Sequence, residues 1–512
     1  MWRMSVFCGV VAVEVLMAGC SGEVPPRGMK LCPAEQPDCI CGPAASAQIR
    51  CGPDAAVHAA MNQLDGAAAS QASSNDAVAT VAIPTHTASA DAGLVMDSPD
   101  ATDAPEVVAE PRDQASYVFD VSQLRTYNLI VSPSDLALID RRPVAELYVP
   151  ASLEFEGKTY GPYRMRYKGR AGAFEPPCTL TGIAAPTPKI GKCSIKIDFR
   201  FKGSGERFFG LEKLNFHAMG QDDSMLRESL GYSLFRDMGI PASRTAHARL
   251  LINGQLEGLF VLVEQIDDRF TRTRFREGGR GNIYKEVWPT YDDLSVYEAA
   301  LENHTSTPQV QRMYELHEAV ETDADELAKH IDREYMLRYL AVDRVIENDD
   351  GIFHFFCGSP AQGNNPGPWG NHNYYWYEAE AASRFWLIPW DLDFVLEGRI
   401  DNQVQPEWTV DAPCVCANAL YGRQRPASCD PVVQHLRAWA ADYDEKVDAF
   451  IAGPFAAEPV DAKLDQWIAT IRDAVAEASG LNGAPTIAGW ERAVATLRAK
   501  IANARRNRGR AY

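Results

Sequence analysis

Between Gly52 and Asp113 the chain carries no aromatic residue and is built mostly of Ala, Ser, Thr, Asp, Val and Pro. Such a stretch cannot bury enough apolar surface to offset the entropy of ordering it, so it reads as a disordered stalk. Folding is thereby confined to the C-terminal side of the stalk, and the folded domain is placed at 117–512, opening on Tyr117-Val118-Phe119. Of the 512 residues, 46% are hydrophobic and 10% aromatic, enough for the part beyond the stalk to fold as a globular domain.

The segment before the stalk reads as an address. Arg3 supplies positive charge, a mostly apolar stretch covers 6–18, and Leu16-Met17-Ala18-Gly19-Cys20-Ser21 resembles a lipobox. The expectation is a lipoprotein signal peptide at 1–20 with lipid on Cys20, although Glu14 interrupts the apolar stretch. The chain would then be exported and lipid-anchored to the cell envelope, and Ser21 leans to the outer membrane by analogy. No later stretch is long and apolar enough to span a bilayer. Residues 21–116 combine a small cysteine-rich nub, with Cys32, Cys39, Cys41 and Cys51, and the stalk. Setting aside Cys8 and Cys20 leaves an even number of the 12 cysteines. Their spacing does not suit zinc, so disulfides of an oxidising compartment are expected, with connectivity open. A net charge of -19 without a long basic run removes nucleic acid as a partner.

The first half of the domain alternates apolar and polar residues as antiparallel strands do, at 145–149, 153–155, 163–167 and 194–199. A helix is expected over 222–238, followed by strands at 247–252 and 258–264 around an Asn253-Gly254 turn. From Thr322 the pattern becomes helical, including 333–347. A strand pair comes next at 374–377 and 385–388, and then helix to Arg510. A sheet-rich half followed by a helix-rich half gives an α+β fold with a cleft between two lobes.

Three clusters could carry chemistry. Glu347-Asn348-Asp349-Asp350-Gly351 sets three carboxylates at a helix C-terminus, where the macrodipole disfavours them. A solvated turn and a metal or hydroxyl site are equally good readings of that cluster alone. An apolar run from Phe385 ends in Trp390-Asp391-Leu392-Asp393, and two carboxylates with strand spacing could share one hard cation such as Mg²⁺. The third cluster is basic: Arg164, Arg166, Lys168, Gly169, Arg170 and Gly172, then Lys189, Lys192 and Lys196. Neighbouring strands could turn these toward phosphates, with Arg227-Glu228 offering a carboxylate partner.

Taken in order, Asn348-Asp349-Asp350-Gly351, His354, Asn373-Tyr374-Tyr375-Trp376-Tyr377 and Pro389-Trp390-Asp391-Leu392-Asp393 resemble the motifs of the CotH (spore coat protein H) kinase family. Leu226-Arg227-Glu228, the Asn253-Gly254 hairpin and Glu264 are similar to the same family. The resemblance implies a divergent, protein-kinase-like two-lobed fold, with an antiparallel sheet-rich N-lobe and a helical C-lobe. It also implies transfer of the ATP γ-phosphate, with Mg²⁺, to Ser or Thr of an exported protein, the stalk itself being one accessible acceptor. On this resemblance Asp350 orients or deprotonates the acceptor hydroxyl, and Asp391, Asp393 and Asn348 hold metal. Lys192 or Lys196 contacts phosphates with Glu228 as partner, Arg166 and Lys168 belong to the phosphate-facing turn, and Glu264 lies near the base.

Two features depart from the family pattern. Arg170-Ala171-Gly172 stands where Ser or Thr usually comes after Lys168-Gly169, and a Gly/Pro/Asn-rich insertion separates His354 from Asn373. They keep open a catalytically silent surface protein on the same scaffold. A glycan hydrolase using the paired acids ranks third.

Overall fold

Alternation at period two becomes a closed barrel in the first half of the domain. Its strands are β1 (Arg125–Val131), β2 (Val149–Phe155), β3 (Lys158–Tyr167), β6 (Ile195–Asp198), β7 (Lys213–His217), β8 (Thr245–Ile252) and β9 (Gln255–Val263). They run in the order β1-β2-β3-β6-β7-β9-β8, and β1 closes the ring by pairing in parallel with β8. Every other pairing in the ring is antiparallel. Inward-facing Tyr127, Leu129, Leu153, Phe155, Met165, Ile197, Phe216, Leu250 and Phe260 fill the interior. Closure leaves no bare sheet edge, which alternation alone does not disclose.

The computed structural model describes residues 113–169, 178–181, 189–200, 207–275, 279–357, 370–379, 383–397, 408–419 and 422–509. The expected signal peptide, nub and stalk lie outside the described residues, as do Arg170, Gly172, the side chain of Lys189 and most of the 357–372 insertion. The described residues fall within one compact unit, Ala77–Tyr512.

The Asn253-Gly254 turn forms as expected, with φ of 51° and 77° joining β8 directly to β9. The strand expected at 145–149 is corrected. Pro143–Ala145 is a 3₁₀ turn, Glu146 is left-handed at φ 50°, and pairing begins at Val149. Helix α1 (Arg227–Asp237) starts later than the expected 222, because Asp222 holds a turn ahead of it, its Oδ2 accepting the Leu226 and Arg227 amides at 2.8 Å.

Beyond the barrel the chain is mainly helical, as expected. Helix α2 (Arg333–Val345) begins on the Asp332 cap and is buried along most of its length. Helices α3 (Ala440–Ala452), α4 (Ala457–Glu477) and α5 (Ile487–Asn507) come after it; Arg508, at φ 59°, ends the last short of Arg510. Beside α2 sits a sheet ordered β10 (Ile283–Lys285), β12 (Tyr374–Ala379) and β13 (Arg384–Pro389). A second small sheet joins β11 (Phe355–Phe356) to β15 (Gly422–Arg425) and β14 (Ala417–Ala419). A separate hairpin of β4 (Cys178–Thr181) and β5 (Lys189–Cys193) packs on the barrel through Cys178, Cys193 and Lys192. Among the described residues three disulfides form, Cys178–Cys193, Cys357–Cys416 and Cys414–Cys429, in line with the expected oxidised state.

Candidate active site

The barrel presents its basic groups in register. Arg166 on β3 stands opposite Lys196 on β6, which stands opposite Asn215 on β7. Because alternate residues share a face, Lys168 joins Arg166 and His217 joins Asn215 on that same side. The Lys168 ammonium donates to His217 Nε2 at 2.5 Å, and His217 Nδ1 bonds Glu228 Oε1 at 2.7 Å. Glu228 lies in the first turn of α1, where the helix dipole favours a carboxylate. One turn later, the Tyr232 hydroxyl accepts the Asp391 amide at 2.9 Å. Gly231 lets the helix come this close, since a Cβ there would sit 3.1 Å from Leu392.

Acidic groups arrive from two distant segments. After α2, Glu347 turns left-handed at φ 50° and the Asn348 amide reaches back to the Asp343 carbonyl. Gly351 completes the loop, and any Cβ there would stand 2.5 Å from Asn348 Nδ2. The other segment is delivered by the β12–β13 hairpin, in which Tyr374 pairs with Pro389 and the Trp390 amide donates to the Asn373 carbonyl. Asn373 and Asp391 therefore emerge at one end of the hairpin. Asn373 Nδ2 donates to Asp350 Oδ2 at 2.8 Å and to the Asp350 carbonyl at 3.1 Å, tying the two acidic segments together. Asp391 and Asn373 both adopt left-handed backbone, at φ 52° and 65°, conformations that a non-glycine residue holds only under local constraint.

These acids feel one another. Burial and then the Asp391 charge push the Asp350 carboxyl up to about 7, against the Asn373 hydrogen bond that lowers it. Burial, then Asp391, also raises Asp393 and Glu228 well above the ordinary carboxylate range. Burial lowers Lys168, opposed by Asp391 and Glu228. Burial alone would also lower Lys285, but Glu286, Glu302 and Asp391 overcome it and raise the ammonium. His217 is held down to about 3, first by burial and then by Lys168, which keeps the imidazole neutral. His217, Glu228 and Asp391 each offer a ligand atom, all within 4.8 Å of one another. Glu228 Oε2 and Asn348 Oδ1 are buried with no hydrogen-bond partner among the described residues. Hard oxygen donors on Glu228 and Asp391, one of them without a hydrogen-bond partner, suit a cation such as Mg²⁺.

The structure thus gathers Asp350, Asp391, Asp393, Glu228, Lys168 and Lys196 around one locus, with Arg166 beside it. Lys196 is half-buried, and burial and then Lys213 and Arg166 hold its ammonium well below the usual range. Arg166 bonds Glu146 at 2.5 Å. Asn348 shares a loop with Asp350 and donates to Asp343 Oδ1 at 2.8 Å.

Two expected residues stand elsewhere. Lys192 donates to the Leu259 carbonyl at 2.6 Å over the Phe260 ring, and the acid acting on it is Asp222, so Lys196 is the lysine of that pair at the site. Glu264 has its side chain engaged away from any ligand. Its two oxygens accept from Arg244, Arg269 and Arg274, which leaves no capacity for a ligand on the side chain. Sequence reasoning missed His217 and Lys285. Each ends a short strand with no motif around it, and only register brings them in.

The segments that build this site match a known family. Residues 187–507 match the family described as "CotH kinase protein", and the chain belongs to that family. The matched segment contains all four carboxylates and Lys196, and begins after Arg166 and Lys168. Among curated proteins the chain is similar to "Inner spore coat protein H" of Bacillus subtilis (strain 168), 23% identical over 248 residues. That similarity covers 41% of this chain and 62% of that protein, so the chain spans under two thirds of its relative's length. Among solved structures it matches one titled "Crystal structure of A Helicobacter pylori proinflammatory kinase CtkA", at 9% identity and a TM-score of 0.22. That match covers 68% of this chain and 91% of the other.

Proposed function

We propose that this protein is a phosphotransferase that moves the ATP γ-phosphate to Ser or Thr hydroxyls of exported or surface proteins, with Mg²⁺. One observation carries the reading: Asn373 ties Asp350 to the end of the hairpin that bears Asp391, so two acidic segments meet beside Lys168 and Lys285. Family membership supports it independently.

Asp391 and Asp393 would hold the metal, with Asn348 Oδ1 and Glu228 Oε2 as further oxygen donors. Bound Mg²⁺ neutralises charge on a phosphoryl group. Lys168, Lys196, Lys285 and Arg166 supply the positive side on which a polyphosphate would lie, and none of them needs to react. Asp350 orients the acceptor hydroxyl and takes its proton. A carboxyl near 7 is a competent base at neutral pH, and a cation held by Asp391 would lower it further into the ionised form. In such a reaction positioning and fixed charge supply most of the acceleration.

The oxidised cysteines and the lipobox-like segment support an exported, envelope-anchored protein held by lipid on Cys20. Among the described residues no helix is long and apolar enough to cross a membrane. The stalk is the acceptor nearest to hand by sequence.

Thermal unfolding with ATP and Mg²⁺, separately and together, tests the reading. Stabilisation that needs both is the expected result. Its absence would leave a silent binding or structural protein on the same scaffold.

A further inference from the structure

We propose that His217 is a positioning residue that couples Lys168 to Glu228 and so fixes the ammonium over the carboxylate cluster. The inference rests on the phosphotransferase reading above and adds to it a residue that no motif contains.

Both imidazole nitrogens are engaged. A lysine ammonium only donates, so Nε2 at 2.5 Å from Lys168 must be the accepting nitrogen. Nδ1 then carries the proton and donates it to Glu228 Oε1 at 2.7 Å. The neutral ring therefore passes the pull of a buried carboxylate to an ammonium that does not touch it. A direct Lys–Glu ion pair would draw the ammonium down onto the helix. The inserted ring keeps the two apart, and Asp391 Oδ1 lies 3.9 Å from His217 Nδ1, on the Glu228 side of the ring.

Trp390 completes the seat. Its ring lies 5.3 Å from the Lys168 ammonium and meets the His217 ring edge-on at 5.8 Å. Because Trp390 immediately precedes Asp391, one aromatic face braces the lysine, the histidine and the acidic loop together. Glu228 Oε2 has no hydrogen-bond partner among the described residues, so the relay occupies one oxygen and leaves the other for a ligand. His217 is close enough to Glu228 and Asp391 to be read as a metal ligand. Coordination through Nδ1 would put the proton on Nε2, facing an ammonium 2.5 Å away, and that arrangement is repulsive.

Two measurements on the full chain test this. In ¹⁵N-histidine NMR the wild type should show His217 as the neutral Nδ1–H tautomer, with the Nε2 resonance moved by Lys168→Met and the Nδ1 resonance by Glu228→Gln. In transfer assays His217→Leu should raise the KM for ATP by about tenfold, the loss of one charge-assisted hydrogen bond, with a smaller effect on kcat. His217→Gln, which offers both a donor and an acceptor, should recover most of that loss.

An Nε2–H tautomer, in the free protein or with Mg²⁺ present, overturns the proposal. Equal kinetics for a folded His217→Leu variant and wild type would also overturn it. If wild type transfers no phosphate, the phosphotransferase reading fails, while the tautomer and its response to Lys168→Met still decide the relay.

Discussion

Asn373 holds Asp350 by a 2.8 Å hydrogen bond from Nδ2 to a carboxylate oxygen, across a gap of more than twenty residues in sequence. The same residue accepts the Trp390 amide through its carbonyl. One side chain and one carbonyl thus join the two acidic segments on which the account depends.

That bond favours the ionised carboxylate and opposes the rise that burial and Asp391 impose. Asn373→Ala should therefore raise the Asp350 pKa further and move the acid limb of the pH–rate profile toward higher pH. A loss of about tenfold in kcat at neutral pH would accompany it. An unmoved limb would mean that Asp350 is not the group that titrates.

The raised carboxyl also has a consequence for stability. A folded-state value of about 7 lies above the ordinary value of 3.8, so folding disfavours the ionised form. Stability is lost as pH rises from about 4 through 7, and the penalty stays constant above that. Asp350→Asn escapes it and should raise the melting temperature of the metal-free protein at pH 8. The gain should vanish near pH 4. Calorimetry at the two pH values checks this.

Asp391, Asp393 and Glu228 crowd like charges beside under-satisfied oxygens. Adding Mg²⁺ should stabilise the fold and release protons, and chelation should reverse both. Asp391→Asn should weaken Mg²⁺ binding by about tenfold or more, read by titration calorimetry in two buffers of different ionisation enthalpy.

Glu264 offers the contrasting case. Burial pushes its carboxyl up, but Arg274, Arg244 and Arg269 overcome this and hold it at about 2. Its contribution is present above the usual glutamate range and is lost as pH falls toward 2. Glu264→Gln would leave three guanidinium groups short of their counter-charge and should cost roughly 3–5 kcal/mol in chemical denaturation. Mg²⁺-nucleotide affinity of the folded fraction should not change.

Much of the architecture was legible in sequence. The Asn253-Gly254 turn marked the strands on either side of it, and the stripe of Met336, Leu340 and Ile346 marked the helix at 333–347, although that helix is buried nearly all round. Barrel closure was not legible, since the β1–β8 pairing joins segments more than a hundred residues apart. β7 was missed as well, being five residues that are almost all buried and so show no alternation. Asp350, Asp391 and Asp393 could be picked out because acids after a buried helix or an apolar strand need a reason. His217 and Lys285 could not, because register across the barrel and the β10–β12 pairing place them. The ion-pair cluster on the Glu264 side chain was not legible either. Its three arginines lie at 244, 269 and 274, and nothing in their spacing announces a shared partner.

The central claim is that one site formed by Asp350 and Asp391 transfers phosphate. Incubating the full chain with γ-radiolabelled ATP and Mg²⁺, with itself and casein as acceptors, tests it most directly. Label should appear on Ser or Thr with wild type, and should fall by at least about a hundredfold with folded Asp350→Ala and Asp391→Ala proteins. Labelling that persists in both variants, or that wild type never produces, would contradict the account.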